Sequence, residues 1–211
     1  MPYGYLGTTP NQQLNNSGVF SVEEALALQN VGELGGSLEL IETQTPSSAA
    51  SIEFTSLKEN KFDVHFLTYE DVLIGTDNQT LIYQLSNNGG TSYITTGYQY
   101  AGSFGNSGGT FFEHKSTDSA DVPMCVSAGT STNERVNGYT YYYNLGYSGK
   151  YSYSTYQATH LGTTTNYTMN YGGAVYPTAE THNAIKISNL GASSSITGTF
   201  KLYGVKQIWV T

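Results

Sequence analysis

From Ser37 onward the chain alternates apolar and polar side chains with a period of two. Clusters of glycine, asparagine, serine and threonine interrupt it about every ten residues, as expected of short strands joined by turns. This constrains the fold most, because a period of two puts successive side chains on opposite faces of extended backbone. "SLELIETQ" alternates Leu38 and Leu40 with Glu39, and "SIEFTSL" alternates Ile52 and Phe54 with Glu53 and Thr55. "KFDVHFLTYE" puts Phe62, Val64, Phe66 and Thr68 on one face, with Asp63, His65 and Leu67 on the other. "TLIYQLSNNGGTSYITTGYQY" reads as a hairpin about Asn87-Asn88-Gly89-Gly90, residues that accept positive φ at little cost. "GYTYYYN" and "KYSYSTYQATH" flank "LGYSG" as a second hairpin, and "GNSGGT" reads as a further turn. In "DVPMCVSAGT", Pro123 marks an edge strand or a strand start, since proline cannot donate to a ladder. About ten or eleven such strands predict an all-β domain over residues 37–211, a single jelly-roll-like antiparallel β-sandwich.

Residues 1–36 are of another kind. "NNSGVFSVEEALALQNVGELGG" carries one short α-helix: Ser21 and Glu24 form an S-x-x-E capping box, and Glu23 and Glu24 sit at the positive end of the helix dipole. Val22, Ala25 and Leu26 share a face, Leu28 widens it, and Gly32 and Gly35-Gly36 end the helix. A helix of about ten residues is marginal alone in water and needs a surface to pack on. That surface is either its own domain or a neighbouring subunit. Residues 1–18 are rich in Asn, Gln, Gly and Thr, too polar to form a core, and read as an extended arm. On the docking reading the contacts come from Tyr3, Tyr5, Leu14, Phe20, Val22, Leu26, Leu28 and Leu34. Burying five such apolar side chains contributes on the order of 8 to 15 kcal/mol before ordering costs.

Several function classes are disfavoured. A net charge of −8 in 211 residues argues against a nucleic-acid partner, which calls for a basic patch. No run of about 18 apolar residues occurs, so no membrane-inserted helix is expected. "MPYGYLGTTPNQQ" has neither a basic nor an apolar signal region. The single cysteine, Cys125, rules out an internal disulfide framework. His65, His114, His160 and His182 share no metal-ligand spacing, "FFEHKS" is not H-E-x-x-H, and no G-x-S-x-G elbow is present. The expectation is a non-enzymatic protein with no cofactor and no metal.

Tyrosine is the compositional outlier. Of 19 tyrosines, eight fall between Tyr139 and Tyr156. Period two puts Tyr139, Tyr141 and Tyr143 on one face of their strand, with Tyr151 and Tyr153 on the same face of the next. Tyrosine combines a flat apolar ring with a polar tip. The cluster is therefore a packed sheet surface, a subunit interface, or a platform on which a saccharide stacks.

"TPNQQLNNSGVFSVEEALALQNVGELGGSLELIE" resembles the leading segment of small virion proteins of tailed bacteriophages, particularly phages of marine bacteria. "IEFTSLKENKFDVHFLT", "LSNNGGTSY" and "GTFKLYGVK" resemble the β domain of that family, and the likeness is poorest from about Gly102 to Tyr176. The resemblance implies a structural role as a decoration protein, tail component or fibre, located in the virion, and no catalytic residues. Its partners would be capsid or tail subunits and other copies of the chain, a homotrimer being the expected oligomer. The alternative is a receptor- or glycan-binding module that contacts host-surface sugar.

Overall fold

The computed structural model describes residues 22–23, 37–162, 166–191 and 194–206. The chain divides into two units, Met1–Gly36 and Ser37–Thr211. In the first, Val22 and Glu23 have helical backbone and are exposed; Tyr3, Tyr5, Leu14, Phe20, Leu26, Leu28 and Leu34 lie outside the described residues.

The second unit is all β. Its strands are β1 (Leu38–Gln44), β2 (Ser47–Ala49), β3 (Ser51–Phe54), β4 (Val64–Ile74), β5 (Gln79–Ser86), β6 (Tyr98–Asn106), β7 (Phe111–Ser119), β8 (Val122–Ala128), β9 (Val136–Tyr143), β10 (Ser152–Leu161), β11 (Tyr167–Tyr176), β12 (Ala184–Asn189) and β13 (Ile196–Val205). The pairings nest: β1 with β13, β3 with β12, β4 with β9 and β5 with β8, all antiparallel. That is one long ribbon folded back on itself. Rolling it up brings β13 against β4 and β12 against β5. The result is two sheets, β3-β12-β5-β8 and β1-β13-β4-β9, in the strand order of a jelly roll.

Two hairpins interrupt the roll. β6–β7 is inserted between β5 and β8, and β10–β11 between β9 and β12. β10 pairs with β9, β11 with β10 and β6 with β11, so the larger sheet continues as β9-β10-β11-β6-β7. The smaller sheet stays four strands wide.

The core lies between the sheets. His65, Leu67, Tyr69, Val72 and Ile74 of β4 point inward, facing Leu81, Tyr83 and Leu85 of β5, Ile185 and Ile187 of β12, and Met124 and Cys125 of β8. A bulge at Glu70-Asp71, where Asp71 has φ 55°, keeps Tyr69, Val72 and Ile74 on one face. Tyr156 of β10 lies across two glycines, since a Cβ at Gly172 or Gly102 would collide with its hydroxyl.

One sequence expectation changes. Asn87–Gly90 turns the chain, but β5 and β6 do not form a hairpin, for they lie in different sheets. The Ser86 Oγ accepts from the Asn88 and Gly90 amides, and the Asn183 side chain accepts from the Gly89 amide. The turn is thereby held against the neighbouring 183 segment, and residues 91–97 cross to the other sheet. In β1 the apolar alternation faces outward: Leu38 and Leu40 are exposed, while Glu39 is tucked between Lys61 at 2.8 Å and Lys58 at 3.3 Å. The tyrosine hairpin forms, and its observed register puts Tyr143 opposite Tyr153; Pro123 lies on the edge strand β8.

Candidate functional site

The outer face of the larger sheet gathers most of the exposed tyrosines. Cross-strand register defines its rows. The central row crosses eight strands: Leu40, Tyr203, Phe66, Tyr141, Thr155, Gly173, Ala101 and Lys115. Beside it runs a row of Lys201, Thr68, Tyr139, Gln157, Tyr171, Ser103 and Glu113. On the other side Val64, Tyr143, Tyr153, Val175 and Gln99 form a third.

The two ends of the face differ. Over the jelly-roll strands the rings pack on one another. Phe66 stacks on Tyr141 at 4.5 Å between centroids, Tyr141 on Tyr143 at 6.3 Å, and Tyr139 and Tyr203 lean on Phe66 at 5.9 and 6.1 Å. Hydroxyls are tied within the face: Tyr139 donates to Gln157 Oε1 at 2.8 Å, and Tyr143 lies 3.3 Å from Thr155 Oγ1. Over the inserted hairpins the surface sinks. Gly173 and Ala101 are direct neighbours, and without large side chains there an open depression of about 780 Å³ forms. Tyr153 and Val175 wall it, with Gln99, Lys115 and Thr117 around the rim. A smaller hollow of about 340 Å³ lies beside Tyr139, Gln157 and Tyr167.

Few charges lie in the rows of this face. Its lysines are each matched by a glutamate, Lys201 with Glu70 at 3.3 Å and Lys115 with Glu113 at 3.2 Å.

Of the sequence-predicted tyrosines, Tyr139, Tyr141, Tyr143 and Tyr153 come together here. Tyr151 precedes β10 in the turn, exposed, its carbonyl accepting from Asn144. They do not form one platform: the first three belong to the stacked end and Tyr153 to the depression. Sequence reasoning missed Phe66, Tyr203 and Tyr171 as members of the face, and Gly173 and Ala101 as the floor of the depression. The signal for Phe66 was present, because "VHFLTY" is apolar on both faces.

Two polar groupings elsewhere have the residue types of catalysis. Ser152 Oγ lies 2.8 Å from His182 Nδ1, and His182 Nε2 lies 3.3 Å from Glu180 Oε1. Ser152 and His182 are buried, and burial pushes the His182 pKa down against the opposing pull of Glu180. A nucleophile sealed from solvent meets no substrate, so this trio clamps the 177–183 segment to β10. Cys125 Sγ lies 3.3 Å from His160 Nδ1. His160 Nε2 faces the Ser127 carbonyl at 3.3 Å and must donate to it, so Nδ1 accepts from the thiol. Burial raises the Cys125 pKa, which keeps it a thiol and unreactive. Among the described residues no group of three or more His, Cys, Asp or Glu could hold a metal ion. No helix among the described residues is long and apolar enough to cross a membrane.

No protein-family model, curated protein or solved structure matches this chain.

Proposed function

We propose that the chain is a non-enzymatic structural subunit of a tailed-phage virion, attached through residues 1–36 and displaying the jelly roll on the particle. One observation carries this reading: the outer face of the larger sheet is broad, aromatic and sparsely charged, with Tyr139 bonded to Gln157, Tyr143 against Thr155, and Lys201 and Lys115 beside glutamates. Such a surface suits contact. The leader's resemblance to phage virion proteins supplies the setting. The jelly roll, a fold used by capsid and lectin domains alike, is compatible with it by analogy.

Deleting residues 1–36 and producing the particle with the truncated protein tests the attachment. The expected result is a folded, soluble β domain whose melting temperature matches that of the full chain and which is missing from purified particles. Particles that carry the truncated chain in full amount overturn the docking role. So does a particle in which cryo-electron microscopy finds residues 1–36 touching only their own jelly roll.

A further inference from the structure

We infer that the depression floored by Ala101 and Gly173 is a binding site for a neutral saccharide. The depression exists because two small residues, from hairpins far apart in sequence, meet side by side. It is about two strand spacings across, on the order of 10 Å. Its lining runs along β11 from Gly173 to Val175, about 7 Å. That space takes one pyranose ring, with its neighbours in a chain lying over the open rim.

The lining has the chemistry to recognise them. Tyr153, 47% exposed, offers a ring to the apolar face of a sugar and a hydroxyl to its edge. Val175 continues the apolar wall, and Gln99 and Lys115 place an amide and an ammonium at the rim. A mostly apolar concavity with a few convergent polar groups is the usual form of a small-molecule site. Charge decides the class of sugar. Lys115 has Glu113 beside it at 3.2 Å, and the chain as a whole carries −8, so the field around the site does not favour an acidic glycan. A second copy of the chain fits less well. Two such faces packed together would enclose the depression as a void, and its lining would lose the contacts that hold an interface.

The site is independent of how the chain joins a particle, so the attachment experiment and this one can fail separately. The full-length protein is titrated with maltotriose, cellotriose, chitotriose and lactose, and binding is read by saturation-transfer NMR. At least one of the four shows transfer to its ring protons. Ala101→Leu, which fills the floor from an exposed position, abolishes it. Tyr153→Ala weakens it about tenfold and Tyr153→Phe much less. Tyr141→Ala, at the stacked end, leaves it unchanged, and near-ultraviolet circular dichroism checks that each variant is folded. Absence of transfer to all four sugars overturns the assignment, as does binding that survives both Ala101→Leu and Tyr153→Ala in folded protein. If sedimentation shows concentration-dependent dimers that Ala101→Leu dissolves, the depression is an interface between copies and the saccharide site is refuted.

Discussion

Tyr141 and Tyr142 are adjacent on β9, yet they inhabit different worlds. Tyr142 is 1% exposed and meets Tyr83 edge-on at 5.0 Å between the sheets. Tyr141 is half-buried on the outer face, stacked on Phe66. The inner face treats tyrosine as a core residue; the outer face treats it as a wettable surface that still packs. The same alternation that builds the sandwich therefore supplies two kinds of aromatic surface, and one residue of register separates them.

The inner side should respond most strongly. Tyr142→Ala removes a fully buried ring and leaves a cavity, so a loss of about 3 to 5 kcal/mol is expected in urea unfolding. Tyr142→Phe separates ring from hydroxyl. The Tyr142 hydroxyl is buried and makes no well-formed hydrogen bond, the Thr140 side chain being its nearest polar neighbour, so its removal should leave stability unchanged or slightly raised. A loss of more than about 1 kcal/mol in the Phe variant means that the hydroxyl is satisfied and the inner face is more polar than described.

Acid should reach the inner face next. His65, His160 and His182 are buried, and burial lowers the pKa of each below the ordinary 6.5. In the unfolded chain they take up protons near that value; in the fold they stay neutral to lower pH. The unfolded state thus binds more protons as pH falls, and stability declines. The contribution is complete above pH 6.5 and fades between that value and the lowered folded-state pKa values. His65 adds a particular weakness: Nε2 donates to the Leu57 carbonyl at 2.8 Å while Nδ1 has no partner. Melting temperatures measured from pH 7.5 to 5 should fall progressively below about 6.5. A flat profile over that range rejects the neutral buried histidines.

How much of this was legible in the sequence follows from which signals are local. The pairing of β9 with β10 was readable because they are consecutive in the chain, with turn residues between them and tyrosines alternating along both. Pro123 announced its edge by lacking a donor. The Asn87–Gly90 turn misled, because its residues specify local backbone and not whether the next strand pairs with the last. The outward Leu38 and Leu40 carried no mark of direction, since period two reveals two faces without saying which is core. The depression was invisible for a stronger reason. Gly173 and Ala101 meet only because β11 pairs with β6 across some seventy residues of chain, and no local pattern encodes a non-local pairing. The leader offers helix chemistry as plain as any strand in the Ser21–Glu24 capping box.

The mildest expected effect is on the outer face. Tyr141→Ala deletes the middle of the Phe66–Tyr141–Tyr143 stack without opening the core. Cross-strand pairs contribute about 0.2 to 1 kcal/mol each, and the strand itself remains paired on both sides. A loss near 1 kcal/mol is therefore expected from the isolated chain, several-fold below Tyr142→Ala. Full-length protein unfolded in urea at two concentrations, tenfold apart, gives the sharper reading. If Tyr141 faces water, the loss is the same at both. If copies pack through this face, stability of the parent rises with concentration and Tyr141→Ala removes that dependence. A concentration-independent loss as large as that of Tyr142→Ala would erase the distinction between the two faces, because a ring on an open surface has no cavity to leave behind.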